Sequence, residues 1–302
     1  MTLREEWLSR YQNQKTRKQA EIVLRIYDQF ILLKYQGNEE LLLEKCRSDI
    51  EANKYFVLDE LVQFWTSLEF TTSTMRNYFT FVRDYLRKNG IQTLPATVKD
   101  YVKFPKDVQE EKYPLTKELI KTILDVCNPE YQVLILCLVS SGMRIGELLN
   151  CRISWLDFSL YKSNGNIRVM IPGIFTKGMR DRYTFFSKQA SKLLVPYVKN
   201  RTVDGPVFTI DYNAAEKYME WIREKIGFTE KYNSGFYKIS IHSFRSYADT
   251  VLTDMVNEQF KKLVLGHKMK LRYYTKSPLE ALQKYEKAEK ELTIELENTI
   301  PN

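Results

Sequence analysis

Ile167-Arg168-Val169-Met170-Ile171-Pro172-Gly173-Ile174-Phe175-Thr176-Lys177-Gly178-Met179-Arg180-Asp181-Arg182-Tyr183-Thr184-Phe185-Phe186 is the stretch where the chain stops reading as helix. Its first five residues alternate, its last four are strand formers, and a charged, glycine-bearing tip lies between them. That pattern predicts a small antiparallel hairpin. Outward from it, helical spacing predicts helices over 117–127, 130–140 and 144–151 on one side. On the other side it predicts 188–199, 213–226, 243–253, 257–265 and 279–293. Thr116 in Leu115-Thr116-Lys117-Glu118 is a natural cap for the first of these. The expected fold class is mainly α, with a small antiparallel sheet inside an α-rich C-terminal domain.

The N-terminal part carries helical spacing only. Over 16–36, Val23, Tyr27, Phe30 and Lys34 recur at helical intervals, Ile26 and Leu33 widen the stripe, and Gly37 suits the stop. Segments 39–49 and 55–68 predict two more helices. A fourth starts at a cap on Thr72 or Ser73, ends at Gly90, and gathers Met75, Tyr78, Phe79, Val82 and Leu86 on one face. Its other face holds Arg76, Thr80, Arg83 and Arg87, which reads either as a solvated face or as a stripe for DNA phosphates. Pro95, Pro105 and Pro114 then punctuate a Lys- and Glu-rich stretch. The expected organisation is a helical domain over 1–92, a linker over 93–114 and a second domain over 115–302.

Composition narrows the class. Apolar residues make up 44% of the 302, enough for packed cores. The net charge is +8, and from residue 101 onward 31 basic side chains face 24 acidic ones. Such an excess attracts polyanions, though alone it is a weak indicator. The longest apolar run, Val133 to Val139, is far too short for a bilayer, and Met1-Thr2-Leu3-Arg4-Glu5-Glu6-Trp7 lacks the apolar core of a signal peptide. The expectation is a cytoplasmic protein with no membrane partner. Cys46, Cys127, Cys137 and Cys151 form no C-x-x-C pair and read as buried free thiols. With two histidines in the chain, zinc is not expected.

Four short stretches carry chemistry. In Ser140-Ser141-Gly142-Met143-Arg144-Ile145-Gly146-Glu147-Leu148, Gly142 lets the chain turn and Arg144 enters the first turn of a helix, with Glu147 one turn on. Lys177 sits on the hairpin tip. His242 and Arg245, in Ile241-His242-Ser243-Phe244-Arg245, share a face at a helix start, a natural anion position. Leu265-Gly266-His267-Lys268 is followed by Tyr273-Tyr274. Each piece has a plain structural reading. Arg144 can be a surface arginine paired with Glu147, Lys177 a charged tip, His242 a helix cap, and His267 a polar residue after a helix-ending glycine. Their joint occurrence in order is what calls for explanation, since both histidines of the chain fall within the set.

In that order, Arg144, Lys177, His242-x-x-Arg245, Gly266-His267 and Tyr274 resemble the signature of the tyrosine recombinases, the phage-type integrases. The resemblance covers roughly 115–290 as a catalytic domain, and 16–92 looks like the family's helical core-binding domain. Gly-His followed by Tyr-Tyr, and the Glu-Lys-Ala-rich tail, are similar to archaeal-type integrases. The family cuts DNA by attack of a tyrosine oxygen, leaving a 3′-phosphotyrosyl link. The resemblance therefore implies that Arg144, Arg245 and His267 hold the phosphoryl oxygens. It implies that Lys177 protonates the 5′-oxygen, His242 handles the tyrosine proton and Tyr274 is the nucleophile. No metal, ATP or other cofactor is implied. The implied partners are double-stranded DNA, with Arg76, Arg83 and Arg87 contacting it, and further copies of the chain, as a tetramer on DNA. When bound, the protein would sit with the nucleoid. Two departures stand out: the spacing from His267 to Tyr274 is short for the family, and Tyr273 competes as nucleophile. The implied role is site-specific recombination, integrating or excising a mobile element. A topoisomerase-like nicking–closing enzyme and a non-catalytic DNA-binding protein stay open as alternatives. The amphipathic stretch Leu279 to Leu292, with Leu282, Tyr285, Ala288 and Leu292 on one face, docks either on a neighbouring subunit or on its own domain.

Overall fold

A computed structural model describes residues 2–106, 110–267 and 277–296. The chain divides into two compact units, Met1–Glu110 and Glu111–Asn302. The first contains α1 (Leu3–Ser9), α2 (Gln14–Tyr35), α3 (Glu39–Glu51), α4 (Phe56–Ser67), α5 (Thr72–Lys88) and α6 (Pro95–Tyr101). Its core joins Val23, Tyr27 and Phe30 of α2 to Leu61 and Trp65 of α4 and to Met75, Phe79, Val82 and Leu86 of α5. The apolar stripe of α2 runs on through Ile31 and Tyr35; Leu33 and Lys34, expected on it, are exposed. Trp7 of α1 is fully buried, and its indole N–H donates to Asp84 at 2.9 Å.

Two expectations for this unit are corrected. Thr71, rather than Thr72 or Ser73, caps α5 by accepting from the Thr74 N–H, while Thr72 is buried and donates to the Pro105 carbonyl at 3.0 Å. The stretch expected as a linker, 93–114, is not free of structure at its start: 95–101 is helix α6, with Val98 and Val102 buried in the first core. Pro95 reads as a breaker in sequence, yet it occupies the start of α6, where its missing N–H has no intrahelical partner to lose. Phe104 follows, edge-on to Phe79 at 5.3 Å.

The second unit begins with α7 (Lys117–Val126), capped by Thr116 as expected, then α8 (Pro129–Ser141) and α9 (Ile145–Leu149). Next come β1 (Leu156–Asp157), α10 (Ser159–Asn164), β2 (Ile167–Ile171) and β3 (Arg182–Phe186). After them lie α11 (Lys188–Val198), α12 (Tyr212–Lys225), α13 (Ile241–Met255), α14 (Glu258–Leu265) and α15 (Pro278–Leu292). Every residue from Val133 to Ser141 is buried, so α8 is a central rod rather than an amphipathic surface helix. Helices α7, α11, α13 and α15 and strand β3 pack around it. The predicted hairpin is present, with Val169 opposite Thr184 and Ile167 opposite Phe186. A third strand, β1, joins it antiparallel through Leu156 and Val169. The four cysteines are buried and free. No helix among the described residues is long and apolar enough to cross a membrane.

Helix α15 packs on its own unit. Ala281, Leu282, Tyr285, Ala288 and Leu292 are buried, and the Tyr285 hydroxyl donates to the Ser140 carbonyl at 2.9 Å. Glu289 accepts from the Asn166 side chain at 2.7 Å and from the Lys188 N–H at 2.6 Å.

If α6 belongs to the first core, Val98→Ala lowers the stability of that unit by about 1–3 kcal/mol, the usual range for truncating a buried aliphatic side chain. Hydrogen exchange of the α2 and α5 amides reads this directly. Unchanged protection would return 95–101 to the status of a linker.

Candidate active site

The site is built where α8 ends. Gly142 adopts a left-handed conformation with φ +58°, and a Cβ there would lie 2.5 Å from Leu265 Cδ2. This turn delivers Arg144 to the position just before α9, as its N-cap, rather than inside its first turn as expected. Glu147, one turn on, is 3% exposed. One of its oxygens accepts from the Arg144 guanidinium at 3.0 Å. The other accepts from the Arg144 backbone N–H at 2.9 Å and from Arg182 Nη2 at 2.6 Å. Burial raises the Glu147 pKa, but Arg182 and the hydrogen bonds from Arg144 outweigh that and hold it below the usual carboxylate range.

Arg245 closes the other side. It is 5% exposed; Nη1 donates to the Gly142 carbonyl, and Nη2 donates to the Leu265 carbonyl at 2.7 Å. Nη2 also lies 3.3 Å from His267 Nε2. Gly266, left-handed with φ +68°, ends α14 and presents His267 at this point. Arg182 lies beneath that turn: a Cβ on Gly266 would come within 2.6 Å of Arg182 Cδ and Nε. Arg182 Nη1 donates to the Val264 carbonyl. Two guanidiniums thus hold one buried carboxylate, and a third, that of Arg245, lies close enough to feel its charge. Burial, together with the charges of Arg144 and Arg182, pushes Arg245 down to about 10. Burial and the Arg245 charge also lower both His242 and His267. The cluster is short of negative charge, which is the electrostatic condition for binding an anion.

The phage integrase family matches residues 114–277, the region that holds this cluster. The chain belongs to that family. A tyrosine recombinase XerA from Saccharolobus solfataricus is 26% identical over 155 residues, 51% of this chain and 48% of the relative. A tyrosine recombinase XerC from Leptospira interrogans is 28% identical over 132 residues, 42% of this chain and 40% of the relative. The matched stretch therefore spans about half the length, or less, of these curated relatives. Among solved structures, a lambda integrase tetramer bound to a Holliday junction aligns with a TM-score of 0.61 at 13% identity, over 90% of this chain and 78% of that one. XerH recombinase bound to its difH substrate aligns with a TM-score of 0.52 at 18% identity, over 76% and 68%. The Tn1549 transposon integrase with circular intermediate DNA aligns at 0.51 and 16%, over 86% and 97%. At these identities the likeness is one of fold.

Within this integrase-family unit the signature residues fare differently. Arg144, Arg245 and His267 are joined through the contacts just described. His242 is exposed at the second residue of α13, close enough to Arg245, Lys112 and Arg144 for their charges to lower its pKa. Lys177 is exposed between β2 and β3 and makes no hydrogen bond or ion pair among the described residues. Tyr274 and Tyr273 lie outside the described residues. In the first unit, Arg83 donates to the Thr93 hydroxyl at 2.7 Å and so holds the chain leaving α5. Arg76 is exposed and lies over the Phe104 ring at 5.8 Å; Arg87 is exposed and paired with Asp84. Sequence reasoning missed Arg182 as part of the site. Its signal was there: strand alternation places it on the face of Thr184 and Phe186, an inward position where an arginine requires a partner.

Glu147→Gln should destabilise the second unit by about 3–5 kcal/mol, since it leaves Arg182 buried beside a neutral amide. The sign with pH follows from the lowered pKa. Glu147 contributes its stability above the unfolded value of 4.5 and loses it as pH falls through the lower folded value. Wild-type chain should therefore lose melting temperature in acid more steeply than Glu147→Gln. Parallel curves would mean that Glu147 carries no such linkage.

Proposed function

We propose that this chain cuts and rejoins double-stranded DNA through a 3′-phosphotyrosyl intermediate, as a site-specific recombinase. The observation that carries the reading is the guanidinium cluster, with Arg245 bonded to the carbonyls that flank Arg144 and His267. The Tyr274 oxygen attacks the scissile phosphorus and a P–O bond forms. The bond to the 5′-oxygen breaks, and that oxygen takes a proton from Lys177. The tyrosine proton passes to His242. Arg144 and Arg245 hold the non-bridging oxygens, whose charge grows in the pentacoordinate transition state, and planar bidentate guanidiniums suit that geometry. Rejoining is the reverse, with a DNA 5′-hydroxyl as nucleophile. The chain's bond count is unchanged over the cycle, so no external energy source is required.

The wider reading draws on printed descriptions of relatives in fold: a tetramer on a Holliday junction for lambda integrase, and a circular intermediate DNA for the Tn1549 integrase. They support a homo-tetramer acting on duplex DNA and a role in moving a mobile element. Arg76, Arg83 and Arg87 of α5 are the proposed phosphate contacts of the first unit, with Arg83 bonding through whichever donors Thr93 leaves free.

Two outcomes test this. Nicked duplexes with randomised sequence, incubated with the chain and separated on a denaturing gel, should yield a covalent adduct that maps to Tyr274. Tyr274→Phe should abolish it while binding persists, and Tyr273→Phe should retain it. An adduct at Tyr273 moves the nucleophile by one residue; DNA binding without any adduct removes the catalytic reading. Adducts without strand exchange between two sites would leave nicking–closing only. The second test is the pH profile. Because the His242 pKa is lowered from 6.5, the neutral imidazole that accepts the proton persists below that pH. The single-turnover rate should stay flat through neutrality and fall only below pH 6.5. A fall centred at or above 6.5 would exclude His242 as the proton acceptor.

A further inference from the structure

Arg182 takes no part in the reaction proposed above, yet it is buried and held at both ends of its guanidinium. Its side chain is 4% exposed, and the carboxylate it meets, Glu147, is already paired with Arg144. A second arginine exceeds what neutralising Glu147 requires, so charge compensation alone does not account for it. Its three parts point three ways: Nη2 to Glu147, Nη1 to the Val264 carbonyl, and Cδ with Nε under Gly266. Nε is buried and has no hydrogen-bond partner among the described residues. The first contact orients the carboxylate that orients Arg144. The second and third brace the last turn of α14, from which His267 emerges.

Arg182 also starts β3, opposite Ile171, at the root of the segment that carries Lys177. That root is a closed unit. Asp181 accepts from the Gly173 N–H at 2.6 Å, and Thr176 Oγ1 accepts from the Arg180 N–H at 3.1 Å. A Cβ on Gly173 would come within 2.9 Å of the Arg180 backbone nitrogen, so the two sides of the root are in direct contact. Fixing Arg182 therefore fixes the platform on which Lys177 stands.

We infer that Arg182 is a positioning residue for strand cleavage: without touching DNA, it holds the Arg144–Glu147 pair, the His267 turn and the root of the Lys177 segment in one register. This rests on the DNA-cleaving reading. Lysine, a point charge on a flexible stem, satisfies one of the contacts at a time. The test uses the wild-type chain, Arg182→Lys, Arg182→Met, Glu147→Gln and the double variant Glu147→Gln/Arg182→Met, with the duplex recovered from the adduct selection. Single-turnover adduct formation, DNA affinity and melting temperature are measured for each. Arg182→Lys should cleave at least about tenfold more slowly and Arg182→Met about a hundredfold, with DNA affinity within about twofold of wild type, because a misplacement of about an ångström costs that much in rate. The double variant should melt above Glu147→Gln, since the unpaired buried charge is gone, yet cleave no faster than Arg182→Met. Cleavage that returns with stability would reduce Arg182 to a structural role. Wild-type rates in Arg182→Lys, or a rate loss matched by lost DNA affinity, would overturn the inference as well. No adduct from the wild-type chain overturns the DNA-cleaving reading itself, and this role with it.

Discussion

The second unit turns on the burial of one carboxylate. Moving an isolated carboxylate out of water costs several kcal/mol even after relaxation, and Glu147 is buried all the same. The cost is offset because its oxygens meet two guanidiniums and a backbone N–H. Each partner is thereby fixed. Arg144 cannot swing into solvent without abandoning Glu147, and Arg182 cannot leave without exposing the underside of the Gly266 turn. Arg245 has no carboxylate of this kind. Its charge is met by the Gly142 and Leu265 carbonyls, at the C-terminal ends of α8 and α14, where helix dipoles place partial negative charge. Partial charges of that size stabilise a guanidinium without neutralising it, so the cluster keeps a net positive field.

The end of α8 shows how this arrangement is anchored. The last carbonyls of a helix lack intrahelical partners and need others when buried. Here they find them on different elements: Ser140 from Tyr285 of α15, Ser141 from Thr184 of β3 at 2.7 Å, and Gly142 from Arg245 of α13. The hydrogen-bond requirement of one helix terminus thus sets three elements around the Arg144 turn. It also explains why polar residues sit at buried positions on all three: each is paired to a specific carbonyl, and an apolar replacement would strand that carbonyl away from water.

How legible was this from sequence? Helices with a strong stripe or a clear cap, such as α5 and α7, were readable because local spacing and capping decide them. The candidate site is legible as an ordered set of residue types, and three of its members are joined by contacts. What escaped depends on non-local partners. Pro95 looked like a break because its value at a helix start depends on Val98 and Val102 finding the first core. Leu33 looked buried because periodicity cannot tell which edge of a wide stripe faces the core, and the core chose Ile31 and Tyr35. Strand β1 has two residues, too few to alternate. Arg182 escaped because an inward-facing arginine becomes meaningful only once Glu147, distant in sequence, lies against it.

The Arg245–His267 contact carries one more consequence. Arginine has donors only, so the 3.3 Å approach of Nη2 to His267 Nε2 is a hydrogen bond only when Nε2 bears a lone pair. That requirement selects the neutral ring with its proton on Nδ1, and the lowered pKa of His267 acts in the same direction. A neutral imidazole in this state offers an anion one donor, Nδ1–H, while Nε2 stays engaged with Arg245. For Nε2–H to reach an anion instead, Arg245 must release the ring and the proton must change nitrogen. Arg245 and His267 therefore cannot be varied as independent donors: loss of the Arg245 guanidinium removes both its own charge and the interaction that sets the tautomer of His267. A coupling between the two beyond simple addition is built into the geometry of their contact.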